Sequence, residues 1–111
     1  PGDPLYGTAV IARAQWRLST GEKAKAQEAI DLLDALLTRQ RTGDTYLLRA
    51  QAGAIAGDMK LAWAALEHLS TSRFGTPNIS RRAMQIARSL GPPPEGSQVL
   101  QRLAQRIQIR R

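Results

Sequence analysis

The sequence contains no cysteine. That removes disulfides, thiolate chemistry and cysteine-ligated zinc at once, and it leaves the compartment open, because cytosolic and periplasmic proteins both often lack cysteine. Aromatic residues make up only 5% of the chain, and there is a single histidine, His68. No apolar run approaches the roughly 18 residues that a membrane span requires. No secretory leader pattern is visible, and the chain opens on Pro1 rather than Met, so it reads as an excised or processed piece of a longer protein. Acids are scarce in one region. Residues 68–111 hold eight arginines against Glu95 alone, whereas residues 1–67 hold eight basic and eight acidic side chains. The whole net charge of +7 therefore sits in the last two-fifths of the chain. Such asymmetry points to an acidic partner for that end, or else to arginines that only solvate helix surfaces.

A length of 111 residues suits one small domain spanning the whole chain. Hydrophobic residues reach 42%, mostly Ala and Leu, which favours an all-helical fold with a modest core over disorder. Asp3-Pro4 is cap plus first turn for a first helix reaching Leu18. "STGE" at 19–22 is a stop and a restart: Gly21 suits a helix end, and Ser19 with Glu22 has capping-box spacing. A second helix, Glu22 to Arg39, repeats Ala26, Ala29, Ile30, Leu33, Leu36 and Leu37 at spacings that make one face. "RTGD" at 41–44 breaks the chain before a third helix, Thr45–Ala56, and "GD" at 57–58 caps a fourth, Met59–Leu69. Thr76-Pro77 opens a fifth, Asn78–Leu90, which "GPPPEG" ends, since three consecutive prolines are incompatible with a helix interior. The sixth runs from Ser97 to Ile109, with Val99, Leu100, Leu103 and Ile107 as its apolar stripe and a parallel row of Arg102, Arg106 and Arg110. Trp16 and Trp63 are expected to pack in the core or between helices.

No catalytic constellation stands out. His68 has no second histidine with which to chelate a metal, so no metal or cofactor is expected. Asp31 and Asp34 sit three apart on a helix, with nothing nearby to separate their pKa values for acid–base work. "STGEK" lacks the glycine spacing of a phosphate loop. Asn78-Ile79-Ser80 fits the glycosylation triplet, a pattern that often arises by chance. An enzyme is not expected.

The sequence is, however, self-similar. At an offset of 36, Arg13-Ala14-Gln15 matches Arg49-Ala50-Gln51, Gly21-Glu22 matches Gly57-Asp58, and Ala26, Ala29 and Leu33 match Ala62, Ala65 and Leu69. Small residues let two helices approach, and a Gly between them makes the turn, so the pattern builds one helical hairpin twice. Fixed-period repetition of this size is the mark of helical repeat arrays.

On these residues the chain resembles the tetratricopeptide repeat family, whose helix–turn–helix units are about 34 residues long. The family's first-helix aromatic, small contact residue, Gly-acid turn and early Ala of helix two fall on Tyr46, Ala50, Gly57-Asp58 and Ala62 in one unit. In the unit before it they fall on Val10, Ala14, Gly21-Glu22 and Ala26. The family's second Tyr falls on Arg17 and Gly53, and the Pro that closes a unit falls on Thr38. The resemblance implies a right-handed α-solenoid of about three antiparallel helix pairs, at 5–41, 42–75 and 76–109, the third degenerate or capping. It also implies a concave groove for a peptide or helix, lined by the first helix of each unit. Alignment places Ile11, Ala12, Gln15, Leu47, Leu48, Gln51, Arg81, Arg82, Gln85 and Arg88 there. The family's carboxylate-gripping groove needs Lys and Asn where this chain has Ile11, Gln15 and Leu48, so that specificity is not expected.

Three functions follow. The first is a protein-interaction module of scaffold, adaptor or chaperone-like kind, taking an acidic or amphipathic segment into a groove with a cationic end. The second is nucleic-acid or anionic-surface binding through the Arg-rich end, against which stand the single aromatic of the basic stretch, Phe74, and the lack of a recognition motif. The third is a structural segment packing on a neighbouring domain.

Overall fold

The computed structural model describes residues 6–39, 41–73 and 76–108. Among them are six α-helices and no strand: α1 (Tyr6–Leu18), α2 (Lys23–Leu37), α3 (Gly43–Ala56), α4 (Met59–Thr71), α5 (Pro77–Leu90) and α6 (Val99–Gln108). The Asp3-Pro4 cap, Phe74, Ile109 and Arg110 lie outside the described residues.

The turns follow their local chemistry. Gly21 and Gly57 take φ of 70° and 81°, the left-handed conformation that closes a helix without a Cβ penalty. Asp58 caps α4 by accepting from the Leu61 N–H, and Thr76 caps α5 by accepting from Ile79 N–H with Pro77 in the first turn. The capping box expected from Ser19 and Glu22 does not form. Glu22 is itself the extended cap residue and makes no side-chain cap bond. Its N–H instead donates to Thr20 Oγ1 at 3.2 Å, while Ser19 Oγ turns back to the Trp16 carbonyl at 2.6 Å. The third helix starts two residues earlier than its apolar pattern suggests, because Thr42 caps it by accepting from Thr45 N–H.

Thr42 has a second duty. Its hydroxyl lies 2.9 Å from that of Thr45, which is completely buried. Thr42→Ala removes the cap and also strips a buried hydroxyl of its partner, so it should destabilise the protein by about 1–2 kcal/mol. Glu22→Ala, at a cap without a side-chain bond, should change stability by less than about 0.5 kcal/mol. Urea unfolding of the two variants tests the contrast, and equal losses would refute it.

Packing is serial. Each helix packs on its neighbours in the chain, α1 touches α3, α3 touches α5, and α4 touches α6. Among the described residues, helices more than two apart in sequence make no contact. Two apolar clusters result. The first joins Tyr46, Leu47 and Ala50 of α3 to Trp63, Leu66 and Leu69 of α4, Ala83 and Ala87 of α5, and Val99 and Leu103 of α6. The second joins Ala14 and Leu18 of α1 to Ala26, Ala29, Ile30 and Leu33 of α2 and to Leu48 and Ala52 of α3. The expected α2 face is buried apart from Leu37, which is half-buried.

The two tryptophans part company. Trp63 is 5% exposed, within the first cluster, as its apolar face implies. Trp16 is 65% exposed, which overturns the expectation that it packs. The α1 face that packs carries Val10, Ala14 and Leu18, and Trp16 points away from it.

Candidate functional site

Helix α3 lies between α1 and α5, touching both while they do not touch each other. Along its outward stripe, Asp44, Leu48, Gln51 and Ile55 recur at four- and three-residue spacing, so they share one side of the helix. This stripe floors two crevices. One, of about 420 Å³, is lined by Leu47, Gln51, Ala54 and Ile55 of α3 and by Arg82, Gln85, Ile86 and Ser89 of α5. The other, of about 290 Å³, is lined by Gln15, Leu18 and Ser19 of α1, Leu48 and Gln51 of α3, and Arg82 of α5. Gln51 and Arg82 line both, so the crevices adjoin as one groove crossing the three odd-numbered helices.

Six of the residues assigned to the groove by alignment come together here: Gln15, Leu47, Leu48, Gln51, Arg82 and Gln85. Leu47 and Leu48 are buried and form its floor, whereas the three glutamines are exposed. Those glutamines make no side-chain hydrogen bond among the described residues, so their amides face the groove with donors and acceptors unused. The other four assigned residues stand elsewhere. Ile11 is half-buried and packs against the second cluster. Ala12 is exposed one turn before Gln15. Arg81 and Arg88 are exposed on α5 but line neither crevice, because they lie roughly 100° round the helix from Arg82. Sequence alignment missed Leu18, Ser19, Ala54, Ile55, Ile86 and Ser89. All six follow a named residue by three or four positions, so carrying each face one turn further would have found them.

The lining contains one charged residue, Arg82, and no acid. Asp44 approaches it from the first turn of α3, 3.6 Å from Arg82 Nη1, with both side chains more than half exposed. That is a loose, solvated pair.

Three other titratable side chains make contacts within the scaffold. Asp34 accepts from Arg49 Nε at 2.7 Å and ties α2 to α3. Glu28 accepts from Arg17 Nε at 3.0 Å and ties α2 to α1. His68 stacks on Tyr46 with ring centroids 4.1 Å apart, on the side of α3 away from the groove. Among the described residues no group of three or more His, Asp or Glu could hold a metal. The two described arginines of the α6 row also make bonds within the chain: Arg106 Nη1 donates to the Ser72 carbonyl at 2.6 Å, and Arg102 Nη2 donates to Gln98 Oε1 at 3.0 Å.

A larger crevice, of about 550 Å³, lies between α4 and the segment entering α6. Its rim mixes Lys60 and Arg102 with Glu67 and Glu95, and Trp63 at its base already serves the core. Opposed charges on one rim offer no ligand of definite sign, whereas the groove draws on equivalent positions of three helices. No described helix is long and apolar enough to cross a membrane.

Fold and groove together define a class: an all-helical protein whose helices stack in chain order and leave a mixed apolar and amide groove across alternate members. Comparison with protein-family models, curated proteins and solved structures finds no match for the chain.

Proposed function

We propose that this is a tetratricopeptide-repeat-like solenoid module that binds a peptide segment of a partner protein in the groove across α1, α3 and α5, as a scaffold, adaptor or chaperone-like component. One observation carries the reading: two crevices built from equivalent helices share Gln51 and Arg82, and a row of unpaired amides runs through them. Serial packing supports the repeat reading, since each hairpin contacts only the next. Leu47, Leu48, Ile55 and Ile86 supply apolar contact, the glutamines can bond an extended backbone, and Arg82 pairs with a carboxylate in a forked geometry. For the nucleic-acid reading, Arg102 and Arg106 each donate to a neutral acceptor within the chain, which leaves the exposed arginines of α5 as its basic surface.

An NMR titration with an amphipathic acidic peptide tests the reading. The side-chain amide resonances of Gln15, Gln51 and Gln85 should shift together. Shifts confined to α4 and α6 would place binding elsewhere. Arg82→Glu should weaken the peptide about 5- to 10-fold, because an exposed charge pair is worth about 1 kcal/mol and reversal adds repulsion. Unchanged affinity would remove Arg82 from the site.

A further inference from the structure

The groove has two chemically different ends. At the α5 end, neither α5 nor α6 contains an acid. Arg81 and Arg88 share an exposed side of α5 roughly 100° round from Arg82, beyond the crevices, two turns or ~10 Å apart along the axis. Among the described residues neither has an acidic partner, and Arg82 has only its loose pair with Asp44. At the α1 end the lip beyond Gln15 is apolar: Ala9, Ala12 and Trp16 are all exposed, at three- and four-residue spacing. Trp16 lines neither crevice; it stands at the open α1 end of the stack, one turn from Ala12, and an indole left 65% exposed there is a large rigid surface that a ligand running past Gln15 can desolvate, the usual character of a binding hot spot.

We infer that the occupant is a polarised segment in extended form, with an apolar residue over Trp16 and Ala12 at one end and a block of carboxylates over Arg81, Arg82 and Arg88 at the other. The inference rests on the groove reading above. Charge complementarity fixes the acidic end, because arginines without acidic neighbours favour carboxylates and repel a second copy of this basic chain. Length follows from geometry. Packed helices lie 8–10 Å apart, so crossing from α1 to α5 takes roughly 16–20 Å. At about 3.3 Å per residue that is about five or six residues between the apolar and acidic ends.

The test uses three synthetic peptides of one composition, all free of Trp and Tyr. Two carry a Leu pair and a Glu triplet separated by five residues, in opposite chain directions, and the third interleaves the same residues. Affinity is read by calorimetry, and Trp16 by acrylamide quenching, to which the buried Trp63 contributes little. One of the separated peptides should bind at least about 5-fold more tightly than the interleaved one and shield Trp16 from quencher. Trp16→Ala and the double change Arg81→Glu, Arg88→Glu should each abolish that preference. Equal affinities with shifts still centred on Gln51 would overturn the polarity and leave the groove standing. A preference that survives Trp16→Ala would overturn the apolar end. Quenching that falls with protein concentration alone would assign the lip to a second copy and overturn the proposal. Failure of all three peptides to bind would overturn both the proposal and the groove reading.

Discussion

Leu66→Ala should destabilise the protein by about 4 kcal/mol, near the upper end of the range for burying and then deleting a leucine side chain. Leu66 is fully buried in the cluster that joins α3, α4, α5 and α6. Part of the cost is lost transfer energy, and the rest depends on how far the surroundings collapse into the void. Here collapse is hindered. Ala50, Ala65, Ala83 and Ala87 belong to the same cluster, and alanine has no rotamer with which to fill a gap. In a chain of this size, stabilised by about 5–15 kcal/mol, such a loss is large but leaves the fold populated. With a urea slope of about 1–3 kcal/mol/M, the midpoint should drop by at least 1 M at an unchanged slope. The transition should stay single, because α3 contributes Leu47 and Ala50 to one cluster and Leu48 and Ala52 to the other. A loss below about 1 kcal/mol would mean that the cluster is loosely packed. A second transition would mean that the two clusters unfold independently.

Helix positions were legible because their punctuation is local. Gly21, Gly57, Asp58, Thr76-Pro77 and the triple proline each act within a turn, and each stands where a helix begins or ends. The groove was partly legible for a different reason. Gln15, Gln51 and Gln85 recur because the hairpin recurs, and the structure brings them to adjoining crevices.

What residue type could not supply was position in the stack. Trp16 aligns with Ala52, which is fully buried because α3 has helices on both sides. The equivalent face of α1 has no described helix against it, so a residue that would be core in an inner helix stands in solvent. The arginines of α6 show the same limit. Their row is legible on the wheel, but Arg106 spans 34 residues of chain to the Ser72 carbonyl, a contact that no periodicity reveals. Arg81 and Arg82 are neighbours in sequence, but a rotation of 100° per residue puts only one of them in the groove.

Gly53→Ala tests the hairpin at a position where the chain departs from the repeat family's pattern. The repeat family has a tyrosine there, and an ordinary helix would gain about 1 kcal/mol from replacing Gly with Ala. The opposite sign is expected. A Cβ built on Gly53 falls 2.9 Å from the Ala62 backbone nitrogen, 3.0 Å from Leu61 Cδ2 and 3.1 Å from Ala62 Cβ. The leucine tip can swing aside, but the nitrogen belongs to the α4 backbone, so the helices must separate. Separation loosens Ala62, which is fully buried, and Ala52 beside Gly53, also fully buried. Overpacking of this kind costs about 1–3 kcal/mol, and against a rigid backbone the upper figure applies, leaving a net loss of about 2 kcal/mol. The melting temperature should fall by about 8 °C. Adding Ala62→Gly removes one close contact and leaves the nitrogen, so the double variant should recover little or none of the loss. A stabilised Gly53→Ala would show that α3 and α4 can move apart freely, and that the close approach of this hairpin is not what requires glycine there.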